Sequence, residues 1–242
     1  MSQLIVIPAY NEAGSIGRVL SAVREATCDC DVVVVNDGST DQTAQIVREM
    51  GVPQLRLPCN LGYARALQTG LRFAVQRGYE VVVFMDADGQ HDPRDVPRLT
   101  RVLHSGGADL VIGSRFVGET RRQNQSRMPP GRRIGMFFFS LMTQVFSGKR
   151  IHDTTSGFKI LRARAARELL GARFFDFHAE VLVYLILRGY RVAEAPIEAR
   201  ERTSGSSFYS ALSALTYPLQ TLLLLVLAVV QARLPGARKD SP

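Results

Sequence analysis

The sequence predicts an α/β protein built on a doubly wound, mainly parallel sheet. Two observations lead there. Short, continuous apolar runs rich in β-branched residues alternate with helical patterns through the first half of the chain, and a polar cluster follows several of those runs at its carboxyl end. Strands that are apolar on both faces are covered on both faces, the condition of a parallel sheet flanked by helices. The 242 residues, 46% hydrophobic and 21% charged, suit one sizeable domain with its own core and a short appendage. Low-complexity tracts and fixed-period repeats are absent.

In chain order, Gln3 to Pro8 reads as the first strand, followed by a helix ending near Ala26. Asp31 to Val35 is a second strand, and a helix runs from about Asp41 to Met50. Pro53 to Leu57 makes a short third strand, Leu61 to Arg77 a long amphipathic helix, and Glu80 to Met85 a fourth strand. A helix over Pro93 to His104 and a strand over Asp109 to Ile112 follow. Gly118 to Arg133 is polar, Arg-rich and interrupted by proline, so it reads as a loop. Ile134 to Phe146 is an apolar helix containing Phe137, Phe138 and Phe139. Strands at Phe158 to Leu161 and Arg191 to Ile197 bracket helices at Ala163 to Leu170 and Ala179 to Arg188.

Leu4 to Pro8 is too short, and lacks the basic flank, for a signal peptide; export by that route is not expected. The tail from Ala211 to Val230 is apolar but interrupted by Thr216, Pro218, Gln220 and Thr221. Pro218 predicts two helical pieces. Interfacial embedding, a span or re-entrant hairpin, and a packing or oligomer helix all stay open. Arg233, Arg238 and Lys239 suit an anionic cytosolic leaflet, so the protein is expected on the cytoplasmic side of the cell membrane.

A net charge of +8 points to an anionic partner. The arginines at 121, 122, 127, 132 and 133 suit a solvated loop or contact with lipid phosphates. No zinc module, basic helix or interleaved stacking aromatics support nucleic acid, which is not expected as a partner. The three cysteines (Cys28, Cys30, Cys59) carry no zinc-ligand spacing and read as reduced thiols. His152, Asp153 and Ser156 lack the G-x-S-x-G elbow of a hydrolase.

Ligands of doubly wound sheets bind beyond the carboxyl ends of the strands. Three polar clusters should therefore converge on one rim: Pro8-Ala9-Tyr10-Asn11-Glu12, Asn36 to Asp41, and Asp86-Ala87-Asp88-Gly89-Gln90. Asp86 and Asp88 offer hard oxygen ligands one residue apart, suited to Mg²⁺ or Mn²⁺ bridging to a diphosphate, with Gln90 or His91 completing the shell. Asn36 to Asp41 also reads as a turn, with Ser39, Thr40 or Asp41 capping the next helix. Asp37 can in addition accept from a base N–H. Asn60 is expected to cap the long helix.

These segments, together with Asn60 to Leu67, Gly113-Ser114-Arg115 and Asp153 to Lys159, resemble the family 2 glycosyltransferases, and within them the polyprenyl-phosphate (dolichol-phosphate mannosyltransferase-like) branch. The resemblance covers Leu4 to about Ser207. It implies a GT-A type, Rossmann-like nucleotide-sugar-binding sandwich over residues 1–207, with a membrane-associated helical tail over 208–242. It implies that Pro8, Ala9, Tyr10, Glu12 and Asp37 hold the nucleoside, that Asp86, Asp88 and Gln90 hold the metal-diphosphate, and that Arg115 lies near the phosphates or the acceptor. Gly62 and Arg65 border the donor. Glu180 stands where members with hydroxyl acceptors place an acidic base. Glu201 to Ser207 resembles an R-x-x-G-x-S loop in which Arg202 binds phosphate, although Phe208 stands where many relatives have lysine. The implied reaction transfers a hexose, with inversion, from a UDP- or GDP-sugar to a polyprenyl phosphate; a saccharide or other hydroxyl acceptor, and a non-catalytic membrane scaffold, are the alternatives.

Overall fold

The computed structural model describes residues 2–27, 29–118, 130–172, 176–198 and 211–234. A seven-stranded sheet forms the centre, in the order β3-β2-β1-β4-β6-β5-β7. The strands are β1 (Gln3–Ala9), β2 (Cys30–Asn36), β3 (Gln54–Arg56), β4 (Val81–Phe84), β5 (Leu110–Ser114), β6 (Lys159–Arg162) and β7 (Val192–Pro196). The helices are α1 (Ile16–Ala26), α2 (Thr43–Glu49), α3 (Tyr63–Gln76), α4 (Val96–Ser105), α5 (Pro130–Ser147), α6 (Ala163–Gly171), α7 (Ala179–Leu187) and α8 (Ala211–Arg233), with a 3₁₀ turn at Pro93–Asp95 ahead of α4. Every strand foreseen in the sequence is present, with ends moved by a residue or two.

The continuous apolar runs do what their pattern requires. Leu4 and Val6 face one core layer with α3 and α6, while Ile5 and Ile7 face the other with α1 and α4. β1 pairs parallel with β2 and β4, β2 with β3, and β5 with β7. The sheet is thus mainly parallel, as expected, and β6 is the exception: it runs antiparallel to both β4 and β5. The reason is where the chain arrives. β5 ends at the carboxyl rim, α5 and the Ile151–Gly157 segment return to that same rim, and the next strand can only run away from it. An apolar strand buried on both faces therefore did not specify its direction.

Two helix expectations also change. Asn60 does not cap α3. Gly62 occupies the cap position at φ 93°, while the Asn60 side chain accepts from the Gly62 N–H at 3.0 Å. The tail is not broken at Pro218, since α8 runs through it as one helix. A proline removes one i→i−4 bond, and here later turns are seated against the body, with Leu225 and Ala228 buried against α7 and the core. Among the described residues, no helix is long and apolar enough to cross a membrane.

Ile160 of β6 is fully buried, so Ile160→Ala should lower the unfolding free energy by about 2–5 kcal/mol. The exposed Arg72→Ala should stay within about 0.5 kcal/mol of wild type; urea denaturation of both proteins checks the contrast.

Candidate functional site

The strand-end clusters converge on one rim, as the topology demands, and hydrogen bonds stitch them together. The Asn11 N–H donates to Ser39 Oγ (3.0 Å), the Glu12 N–H to Thr43 Oγ1 (2.8 Å) and the Ala13 N–H to Asp41 Oδ2 (3.0 Å). Asn11 sits at φ 55°, a left-handed conformation that its short polar side chain tolerates, and its Oδ1 accepts from the Thr40 N–H. None of the three proposed caps holds the N-cap position of α2, which falls to Gln42 without a side-chain bond; Asp41, one residue earlier, accepts from the Thr43 N–H. Gly38 (φ 68°) lets this loop lie against the Cys59–Asn60 backbone, where a Cβ would collide.

Asp37 carries the rim onward. Its N–H donates to the Ala9 carbonyl, and its buried carboxylate accepts from the Leu61 and Gly62 N–H groups, both at 2.8 Å. Asp37 thus fixes the entry to α3, whatever else it accepts. Pro8 and Ala9 are buried at the end of β1, with Tyr10 half-buried after them. Glu12 accepts from Ser15 Oγ at 2.6 Å. Arg65 lies on the exposed face of α3, its guanidinium donating to Gln68.

The acidic pair follows β4. Asp86 is half-buried and Asp88 buried. Tyr63, the first residue of α3, donates its hydroxyl to Asp86 Oδ1 at 2.9 Å. Gly157 backs onto the same carboxyl so closely that any Cβ would overlap it. His91 Nδ1 accepts from the Asp86 N–H at 3.1 Å, which leaves the proton on Nε2, 3.8 Å from Asp86 Oδ2. Burial pulls the His91 pKa down, against the attraction of Asp86 and Asp88. His91 therefore braces the aspartate turn, stacked on Phe158, with its Nδ1 lone pair already engaged. The Gln90 N–H donates to Asp88 Oδ1.

Among the described residues, no group of three or more acidic, His or Cys side chains forms a metal cage. The donor set nonetheless fits Mg²⁺ or Mn²⁺: these ions favour one or two carboxylates and draw the rest of their shell from phosphate and water.

Arg115 and Asp153 close the rim on the other side. Arg115 donates from Nε and Nη2 to the two Asp153 oxygens, both at 2.8 Å, and its backbone N–H also reaches Asp153. Burial raises the Asp153 pKa, but the Arg115 guanidinium and its hydrogen bonds outweigh this and hold the carboxyl below its usual range. Beneath it, Glu194 of β7 accepts from the His152 and Asp153 N–H groups. His152 also pairs with Glu194, and Ser156 Oγ donates to the Gly113 carbonyl, so the two make no nucleophile–base pair.

Glu180 is held by backbone. It is buried at the start of α7 and accepts from the Asp176 and His178 N–H groups. Burial raises its pKa in spite of those bonds. Arg202 and the loop around it lie outside the described residues, as do Arg121, Arg122, Arg127 and Cys28. Sequence reasoning missed Tyr63, His178, Lys159 and Glu194 as parts of the site. Tyr63 and Lys159 lay inside recognised motifs, whereas Glu194 showed only as a lone acid in a buried strand.

The model of "Glycosyl transferase family 2" matches residues 4–170. The undecaprenyl-phosphate mannosyltransferase of Micrococcus luteus is 33% identical over 216 residues, 86% of this chain and 87% of that protein. The dolichyl-phosphate hexose transferase of Haloferax volcanii is 31% identical, covering 82% of each. Glucosyl-3-phosphoglycerate synthase from Mycobacterium tuberculosis, solved with Mn²⁺, UDP-glucose and phosphoglyceric acid, superposes with a TM-score of 0.66 at 19% identity, over 95% of this chain and 80% of that one.

Two measurements check the geometry. Gly157→Ala should keep the fold, seen by circular dichroism, while cutting turnover at least ~100-fold, as misplacement of about 1 Å at a reacting site does. Asp153→Asn should cost about 3–5 kcal/mol by stranding a buried arginine. Because the Asp153 pKa is depressed in the fold, its contribution is present above the unfolded value of about 4 and is lost as pH falls below it. The stability gap between wild type and Asp153→Asn should therefore narrow in acid melts.

Proposed function

The chain belongs to glycosyl transferase family 2, and from that premise we propose that it transfers a hexose from a nucleoside-diphosphate sugar to a polyprenyl phosphate at a membrane surface. The observation that carries this reading is the hydrogen-bonded rim that puts the Asp86/Asp88 pair, the nucleoside-side loops and Arg115 at one end of the sheet. The names of the two relatives, each above 30% identity, support the acceptor class.

In this reading Asp86, Asp88 and Gln90 hold Mg²⁺ or Mn²⁺, which when bound neutralises charge on the departing nucleoside diphosphate. Pro8, Ala9, Tyr10, Glu12 and Asp37 line the nucleoside side, with Gly62 and Arg65 at its border. Arg115, oriented by Asp153, and Arg202 face phosphate groups as charge-assisted donors. A lipid phosphate brings its own anionic nucleophile, so the chain need only orient it in line with the anomeric carbon and exclude water; inversion follows from a single displacement. No general base is required. Glu180, occupied by backbone amides, acts as a positioning group.

Membrane contact is supported by apolar side chains exposed on two neighbouring helices. α5 leaves Phe137 (61%) and Val145 (66%) open, and α8 leaves Leu223 (60%) and Val230 open. The two helices pack against each other and against α7. Apolar side chains gathered on neighbouring helices mark an interaction surface, and one lying on the acyl boundary requires no spanning helix.

Purified protein incubated with a panel of nucleotide sugars, Mn²⁺ and undecaprenyl phosphate should yield glycolipid with at least one donor. Turnover on a saccharide combined with no lipid product would overturn the acceptor assignment. Asp88→Ala should reduce turnover by at least ~100-fold, the size expected when charge stabilisation is lost. Leu223→Glu should weaken sedimentation with anionic liposomes while leaving the melting temperature near wild type.

A further inference from the structure

One buried cation has no role in the chemistry above. Lys159, the first residue of β6, is 2% exposed. Its ammonium donates to the carbonyls of Ser156 and, at 3.0 Å, of Phe177. Those two carbonyls belong to separate turns, and each turn bears on Asp86.

The first turn runs through Gly157, whose backbone lies against the Asp86 carboxyl with no room for a Cβ. The second runs from Asp176 to His178. Phe177 is held there at φ 61°, which a bulky residue adopts only when its surroundings impose it. Glu180 grips this turn by accepting its two N–H groups, and Phe177 packs edge-on against Phe84 of β4. The His178 ring lies parallel to Tyr63, centroids 6.3 Å apart. Tyr63 in turn donates to Asp86 Oδ1.

We propose that Lys159 is a positioning residue for Asp86, its ammonium tying together the two turns that hold that carboxylate, one through Gly157 and the other through His178 and Tyr63. This rests on the metal reading proposed above. A cation suits the position for two reasons. An ammonium carries three donors and can bridge two carbonyls, and its charge offsets the neighbouring Asp86, Asp153 and Glu180. Burial pulls the Lys159 pKa down to about 8 against the attraction of those three acids. A neutral side chain of equal volume and without donors would leave the two carbonyls without this partner and remove one of the charges that offset those acids.

A lysine that only stabilised the fold would alter melting and nothing else, so the test reads metal affinity. Mn²⁺ binding is titrated by electron paramagnetic resonance on the full chain with saturating UDP, for wild type, Lys159→Met and Tyr63→Phe, with melting curves in EDTA alongside. Both variants should weaken Mn²⁺ by roughly tenfold or more, the loss typical of groups that orient a metal ligand. Tyr63→Phe, which keeps the ring and the helix, should melt near wild type. If Lys159→Met does not fold, Lys159→Gln, which keeps two N–H donors without the charge, takes its place with the same expectation. Unchanged Mn²⁺ affinity in the lysine variant, with or without a lower melting temperature, overturns the proposal. Failure of the wild type itself to bind Mn²⁺ in the presence of UDP would instead overturn the metal reading, and this inference with it.

Discussion

Buried charge at the carboxyl rim of the sheet is the constraint around which the rest of the structure is arranged. Asp37, Asp88, Asp153 and Glu180 are each less than a tenth exposed, and an uncompensated carboxylate at that depth is unfavourable by several kcal/mol. Each acid is matched locally. Backbone amides satisfy Asp37 and Glu180, a forked guanidinium satisfies Asp153, and the Gln90 amide engages Asp88. For Asp37 and Asp153 the partners come from segments far apart in sequence, so matching those charges also fixes the loops. Rigidity of the rim and satisfaction of its acids are one property.

The reversal of β6 makes the arrangement possible. A strand running antiparallel between β4 and β5 is preceded by a turn at the rim where β4 ends. Gly157 and Lys159 thereby arrive beside Asp86, across more than seventy residues of chain. A parallel strand in that slot would start at the opposite end of the sheet and leave the Gly157 turn that precedes it far from the aspartates. The sheet order thus serves the site as much as the core.

α5 and α8 extend the same logic outward. Their inner faces, with Phe139, Met136, Leu225 and Ala228, are buried in the body, while their outer faces carry many exposed apolar side chains beside a few polar ones. A helix in water needs one apolar stripe to pack. Apolar side chains on the remaining surface have no such use within the chain, and this distinguishes the pair from α1 or α3, whose polar faces turn outward.

The sequence by itself determined the α/β class, the existence of each strand, and the rim as the place where the polar clusters gather. These depend on local signals: unbroken β-branched runs, turn residues directly after them, and carboxylates one residue apart. The motifs around Asp37, Asp86 and Asp153 were legible for the same reason, since each is contiguous. Only the tertiary structure decided that β6 runs antiparallel, that α8 continues through Pro218, that Gly62 rather than Asn60 caps α3, and that Glu180 faces backbone amides. Each of these depends on what a segment meets across space. An apolar strand has the same pattern in either direction, and a carboxylate reads identically whether it faces a substrate or a turn. Asp86 was visible from its neighbours in sequence, but the hydrogen bond from Tyr63 and the close approach of Gly157 exist only once the chain has folded back.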